Sequence, residues 1–257
     1  MNDTPIAPAA VTPPGPMPPW GFYETIGWGM LAFVAWFVAQ TVVVIGLVAW
    51  QEAIEPGSSD LAKMMNDAFS LAVITIVTGP VWIGVPALAA RWRRWSVRDY
   101  MALVPPRRRE LIFSIALLLI VLVATDLSSY ALGRDVIPQF MIEAYTSART
   151  PAAMVLLFIA IVIVAPICEE TMFRGFLFRG LSATRFGAPG SVLLTAAAWS
   201  LMHVQYDWFV IAQIFLLGLM FGWLRWASGS TLLTMVLHFI ANLSAFAETA
   251  IKIEWLS

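Results

Sequence analysis

The sequence predicts an all-α protein, a polytopic transmembrane helical bundle of seven to eight spans. Three observations carry that prediction. The chain of 257 residues is 60% hydrophobic and only 12% charged, whereas soluble domains carry about 25% charged residues. Its mean hydropathy is +0.80. Its apolar residues also gather into long stretches, several of them close to the roughly 20 residues that cross a bilayer as a helix. No water-soluble fold of this size hides that much apolar surface, so the whole soluble class is excluded.

Residues 1–19 are rich in Pro and Ala and reach Asp3 before any Lys or Arg. They lack the basic n-region of a signal peptide and read as a disordered cytoplasmic tail. Residues 20–257 then form a single transmembrane domain. The expected spans are 26–50, 68–90, 111–132, 152–181, 191–205, 209–226 and 232–251. The fifth is short. The fourth is too long unless it tilts, bends or emerges into water, and Pro166 offers a bend. An eighth crossing arises if the first or fourth stretch is two segments.

The loop after the second span carries Arg91, Arg93, Arg94, Arg98, Arg107, Arg108 and Arg109. By the Lys/Arg bias of short loops it is cytoplasmic. The N-terminus, Arg179, Arg185 and Arg225 then lie on the same side, and loops 51–67 and 133–150 lie outside. The expected location is a plasma (inner) membrane. Orientation and anionic-lipid contact explain the arginine run, so no nucleic-acid partner is expected; the lipid bilayer is the expected surroundings. Gly218 and Gly222 form a small-xxx-small pair suited to close helix packing.

Chemistry concentrates in residues 150–250. Cys168-Glu169-Glu170-Thr171-Met172-Phe173-Arg174 sets two carboxylates and an arginine against the end of an apolar run. A charge inside a spanning helix costs at least about 2.5 kcal/mol, so these groups need partners. Glu170 and Arg174 are i and i+4, neighbours on one helix face. Glu169, about 100° away, points elsewhere and suits a general base. The only two histidines follow in separate spans, His203 after Trp199 and His238 before Asn242. His238 and Asn242 share a face and can bind an oxyanion or simply join two helices. The N-terminal half holds almost no ionisable residue within a span, Asp126 excepted. Cys168, the single cysteine, excludes an internal disulfide and a cysteine cage, and its apolar position beside a carboxylate works against a reactive thiolate.

Glu-Glu-x-x-x-Arg, aromatic-x-x-x-His and His-x-x-x-Asn, in that order inside spans, resemble the CPBP (Abi) family of intramembrane proteases, which includes the Rce1-type CAAX prenyl endopeptidases. Trp199 stands where phenylalanine is commonest. The resemblance implies that Glu169 activates water with His203, that His238 and Asn242 bind the oxyanion, and that Glu170 and Arg174 support them. It implies a membrane-associated peptide or protein as substrate, prenylated in the lipid-processing relatives. Such enzymes are often called metalloproteases, and Glu169, His203 and His238 suffice for a zinc ion. No His-Glu-x-x-His helix is present, so a metal-free glutamate mechanism is slightly favoured. The expected site is a wet cavity opening toward the cytoplasm. Two rival readings remain, a proton-coupled transporter using the same groups as a relay and a catalytically silent membrane scaffold.

Overall fold

The computed structural model describes residues 17–57 and 60–256. Most of the expected tail, residues 1–16, lies outside the described residues. Its last residues do not hang free: Met17 N–H donates to the Arg93 carbonyl at 3.1 Å, and the Trp95 indole donates to the Met17 carbonyl at 2.7 Å.

Every described element is helical. In chain order these are α1 (Phe22–Ile54), α2 (Leu61–Asn66), α3 (Ala68–Trp92), α4 (Val97–Tyr100), α5 (Arg108–Ala131) and α6 (Gln139–Ser147). A long helix follows, in which α7 (Pro151–Phe158), α8 (Ala165–Glu170) and α9 (Phe178–Ser182) are separated by the π-helical segments Ile159–Val164 and Thr171–Leu177. The chain ends with α10 (Gly187–Leu201), α11 (Trp208–Ser228) and α12 (Thr231–Trp255). Among the described residues, six helices are long and apolar enough to cross a membrane: α1, α3, α5, the composite helix Pro151–Ser182, α11 and α12. They fit an integral multi-pass membrane protein. Their outward faces carry residues such as Phe37 at 56% exposure and Ile120 at 67%. Apolar side chains on outer faces are what a lipid-facing helix presents.

The fifth expected span is the exception. It is α10, only 15 residues long, or about 22 Å at 1.5 Å per residue. It nevertheless runs from one end of the bundle to the other, with residues 202–207 completing the pass as turns. At one end, Phe22 meets Phe186 with ring centroids 5.2 Å apart, and Thr231 N–H donates to the Ala102 carbonyl at 3.0 Å. At the other, Phe140 meets Tyr206 at 5.5 Å, Ala68 N–H donates to Ser147 Oγ at 2.8 Å, and Arg134 pairs with Asp207. The chain thus alternates between a basic end and an opposite end. Arg91, Arg93, Arg94, Arg98, Arg107, Arg108, Arg109, Arg179, Arg185 and Arg225 lie toward the basic end. The opposite end has Lys63, Arg134, Arg149 and Lys252.

Close packing fixes α10 against α11. A Cβ added at Gly218 would lie 3.1 Å from the Ala196 Cα and 3.1 Å from the Trp199 ring, and one at Gly222 would lie 3.0 Å from Val192. The small-xxx-small pair therefore serves packing, as its spacing implied, and brings Trp199 over the bundle's centre. Cys168 is buried against Gly79, a packing position.

Candidate active site

The two glutamates sit on α8, between the two π-helical segments, and diverge as helical geometry requires. Glu170 is fully buried. Its Oε1 accepts from Arg174 Nη1 at 2.8 Å and from His238 Nδ1 at 3.1 Å. Arg174, also fully buried, donates from Nη2 to the Gly218 carbonyl at 3.3 Å and lies over the Trp199 ring at 4.4 Å and the Phe221 ring at 5.4 Å. Removing one partner from such a buried pair strands the other charge at a cost of about 3–5 kcal/mol. Glu169 turns the other way and is only half-buried. Its Oε2 accepts from the Trp199 indole N–H at 2.6 Å.

Trp199 is the centre of the arrangement. Its ring centroid lies 5.2 Å from that of His203 and 5.2 Å from that of His238, with both imidazoles nearly perpendicular to it. One indole thus touches a carboxylate, two imidazoles and a guanidinium drawn from three segments. The sequence marked Trp199 only as an aromatic in the histidine motif. Its N–H, which phenylalanine lacks, was the available signal.

Hydrogen bonds set the histidine tautomers. His203 Nδ1 lies 2.9 Å from the Trp199 carbonyl, which can only accept, so Nδ1 carries the proton and Nε2 of the neutral ring keeps its lone pair. His238 Nδ1 likewise donates to the Glu170 carboxylate, leaving Nε2 for other partners. A carboxylate behind an imidazole fixes the ring's orientation.

Asn242 has a second duty. The Ala165 N–H bonds the Ala160 carbonyl in π-helical fashion. The Ile161 carbonyl therefore lacks its usual donor at residue 165, and the next position is Pro166, which has no N–H. Asn242 Nδ2 fills the gap at 2.8 Å, leaving its second N–H and its carbonyl oxygen for other partners. The other π-helical segment behaves alike: Phe178 N–H bonds Phe173, and Arg225 Nε donates to the Arg174 carbonyl at 3.0 Å. The bend expected at Pro166 is in fact a π-helical distortion whose freed carbonyl ties α12 to the composite helix.

Glu169, Trp199, His203, His238 and Asn242 all line one cavity of about 360 Å³. Glu170 and Arg174 lie behind it. The cavity extends past Tyr206 to Val136–Met141, the end opposite the arginine-rich loop. This corrects the expected direction. On the orientation that the Lys/Arg bias predicts, the cavity opens outward rather than to the cytoplasm. At that mouth Asp207 caps α11. The Val210 N–H, joined by the Phe209 N–H and Arg134, holds its carboxyl below the usual range. Among the described residues, no three His, Cys, Asp or Glu side chains converge closely enough to hold a metal ion. The donor set thus does not fit a zinc site of the usual kind, which needs three protein ligands.

Residues 151–244 match the sequence model of a family described as type II CAAX prenyl endopeptidase Rce1-like. By this segment the chain is similar to the Rce1-like family. The Rce1-like segment spans less than half of the 257 residues, yet it contains Glu169, Glu170, Arg174, Trp199, His203, His238 and Asn242. No curated protein and no solved structure matches the chain significantly.

Proposed function

We propose that this protein is an intramembrane endopeptidase that hydrolyses a peptide bond of a membrane-associated peptide by glutamate-activated water. The reading rests on one observation above others: Glu169, held by the Trp199 N–H, shares a cavity with both histidines and Asn242. The family description, a prenyl endopeptidase, agrees with it and extends the substrate class to prenylated tails.

In the proposed reaction Glu169 accepts a proton from water while the water oxygen attacks the peptide carbonyl carbon. His203, whose Nε2 lone pair is free of the Trp199 carbonyl, holds that water. The carbonyl oxygen becomes an oxyanion. His238, protonated and backed by Glu170, donates to it from Nε2, and the second N–H of Asn242 joins in. Collapse breaks the C–N bond, and the proton on Glu169 passes to the departing amine. Arg174 neutralises Glu170 and keeps the imidazole in place.

The test is cleavage of a peptide library by purified protein in detergent. Positioned general bases contribute about 10²–10⁴-fold, so Glu169→Gln should lower kcat/KM by at least about a hundredfold with its thermal midpoint unchanged. Equal cleavage by the variant sinks the reading. So does an absence of cleavage accompanied by Glu169-dependent proton flux in liposomes.

A further inference from the structure

The basic end of the bundle holds positive charge that no described carboxylate meets. Arg225, in the last turn of α11, is only 4% exposed. Its Nε donates to the Arg174 carbonyl at 3.0 Å, and its guanidinium lies 5.2 Å from the centre of the Phe178 ring. Among the described residues its two Nη atoms have no acceptor. Arg179, on α9, is near enough for the two positive charges to repel. It packs over Trp95 at 4.9 Å and makes no ion pair among the described residues. Arg93 completes the group. It and Arg179 both act on the Tyr100 hydroxyl, and it lies over Trp20 at 4.0 Å with a buried Nε that has no partner.

The described carboxylates of this end are turned to the starts of their own helices. Glu24 lies against Gly21, Asp99 accepts from the Ser96 hydroxyl and Glu110 accepts from the Arg107 N–H. Buried donors without an acceptor, and like charges without a counter-charge, cost free energy that a bound anion recovers.

A separate feature marks the depth of these arginines in the bilayer. Trp92, Trp223 and Trp226 are exposed on the outer surface at this end. Trp92 meets Trp28 at 6.0 Å, and Trp28 meets Trp20 at 5.9 Å. Indoles gather at headgroup level. Lipid phosphates lie at that level, and basic pockets between spanning helices bind them.

We infer that Arg179 and Arg225, flanked by Arg93, form a binding site for the phosphate of an anionic lipid headgroup in the leaflet at the basic end. The inference does not depend on the endopeptidase reading. The planar fork of arginine suits two-point contact with phosphate oxygens. The Arg174 carbonyl holds Arg225 by Nε, so both Nη atoms stay available for that contact. The uncompensated charge also sets a preference. A glycerol headgroup brings one net negative charge, whereas a choline headgroup carries its own ammonium into a cluster of arginines.

The experiment titrates the full-length protein, in neutral detergent, with phosphatidylglycerol or with phosphatidylcholine of the same acyl chains. Native mass spectrometry reads the lipid retained. Charge-assisted hydrogen bonds imply at least about tenfold tighter binding of phosphatidylglycerol. Arg179→Gln and Arg225→Gln should each weaken it by at least about tenfold. Arg108→Gln, at the exposed start of α5, should change it less than about threefold, because an exposed charge acts only through screened attraction. Should Arg225→Gln fail to fold, Arg179→Gln decides alone, since it removes no hydrogen bond. An excess of inorganic phosphate should leave the lipid bound; displacement would make this a site for free phosphate and overturn the lipid assignment. Equal retention of the two lipids overturns the inference. So do equal losses in Arg108→Gln and Arg179→Gln, which would reveal a diffuse basic surface instead of a built site.

Discussion

Trp199 contributes to the site through one hydrogen atom. Its ring packs over Arg174 and between the two imidazoles, a role that phenylalanine can fill, but only indole can donate to Glu169. Hydrogen bonds to charged groups contribute about 1.5–3 kcal/mol, and each 1.4 kcal/mol is about tenfold in rate. Trp199→Phe should therefore lower kcat/KM by roughly ten- to a hundredfold, mostly in kcat, while the thermal midpoint changes little. A steady-state comparison with the parent enzyme checks this, and unchanged kcat would show that Glu169 is aimed by something else. At this scale the sequence revealed what helical spacing alone decides. The Glu170–Arg174 pair follows from an interval of four, as does the shared face of His238 and Asn242. Contacts between helices were not legible. Nothing in the chain's order says that the residue 30 positions after Glu169 holds it, or that Glu170, not Glu169, backs His238.

The π-helical segments are the feature at the level of elements that periodicity could not reveal. Around Ile159–Val164 nearly every residue is apolar, so each helical phase looks the same and no face marks a change of pitch. Pro166 was readable as a disturbance, though its form was not. The distortion leaves the Ile161 carbonyl without a main-chain donor, and Asn242 supplies one. This gives a coupling between distant positions. Interhelical hydrogen bonds in membrane proteins average about 0.6 kcal/mol and reach about 1.7, so Asn242→Ala should destabilise by about 1 kcal/mol. With Pro166→Ala the chain regains an N–H five residues after Ile161, and Asn242→Ala should then cost less. A double-mutant cycle on unfolding in mixed micelles measures that difference directly. Additive losses would mean that Asn242 is there for another reason, with the oxyanion first among them.

At the scale of the molecule, the decisive element is the shortest pass. α10 falls below the length of a usual span, yet its ends meet opposite ends of the bundle. Counting it as a crossing, as its apolar run suggested, gives α11 and α12 their direction and gathers arginine at one end. The cavity's direction was not legible, because it depends on which loops wall the site, and Val136–Met141 does so from the end opposite the arginines. If the arginine-rich end is cytoplasmic, as the Lys/Arg bias of short loops expects, the mouth lies on the outer face of the membrane. The prediction can be checked in intact cells with a membrane-impermeant maleimide. Cys168 is first replaced by Ala, since it is the only cysteine. Val204→Cys, at a position 81% exposed beside the mouth, should label from outside. Arg108→Cys, at the exposed start of α5, should label only after permeabilisation. The reverse pattern would put the mouth in the cytoplasm and make the arginine-rich end external against the usual bias. Substrate would then have to reach Glu169 from within the cell, so the same pair of labels decides which leaflet presents the peptide.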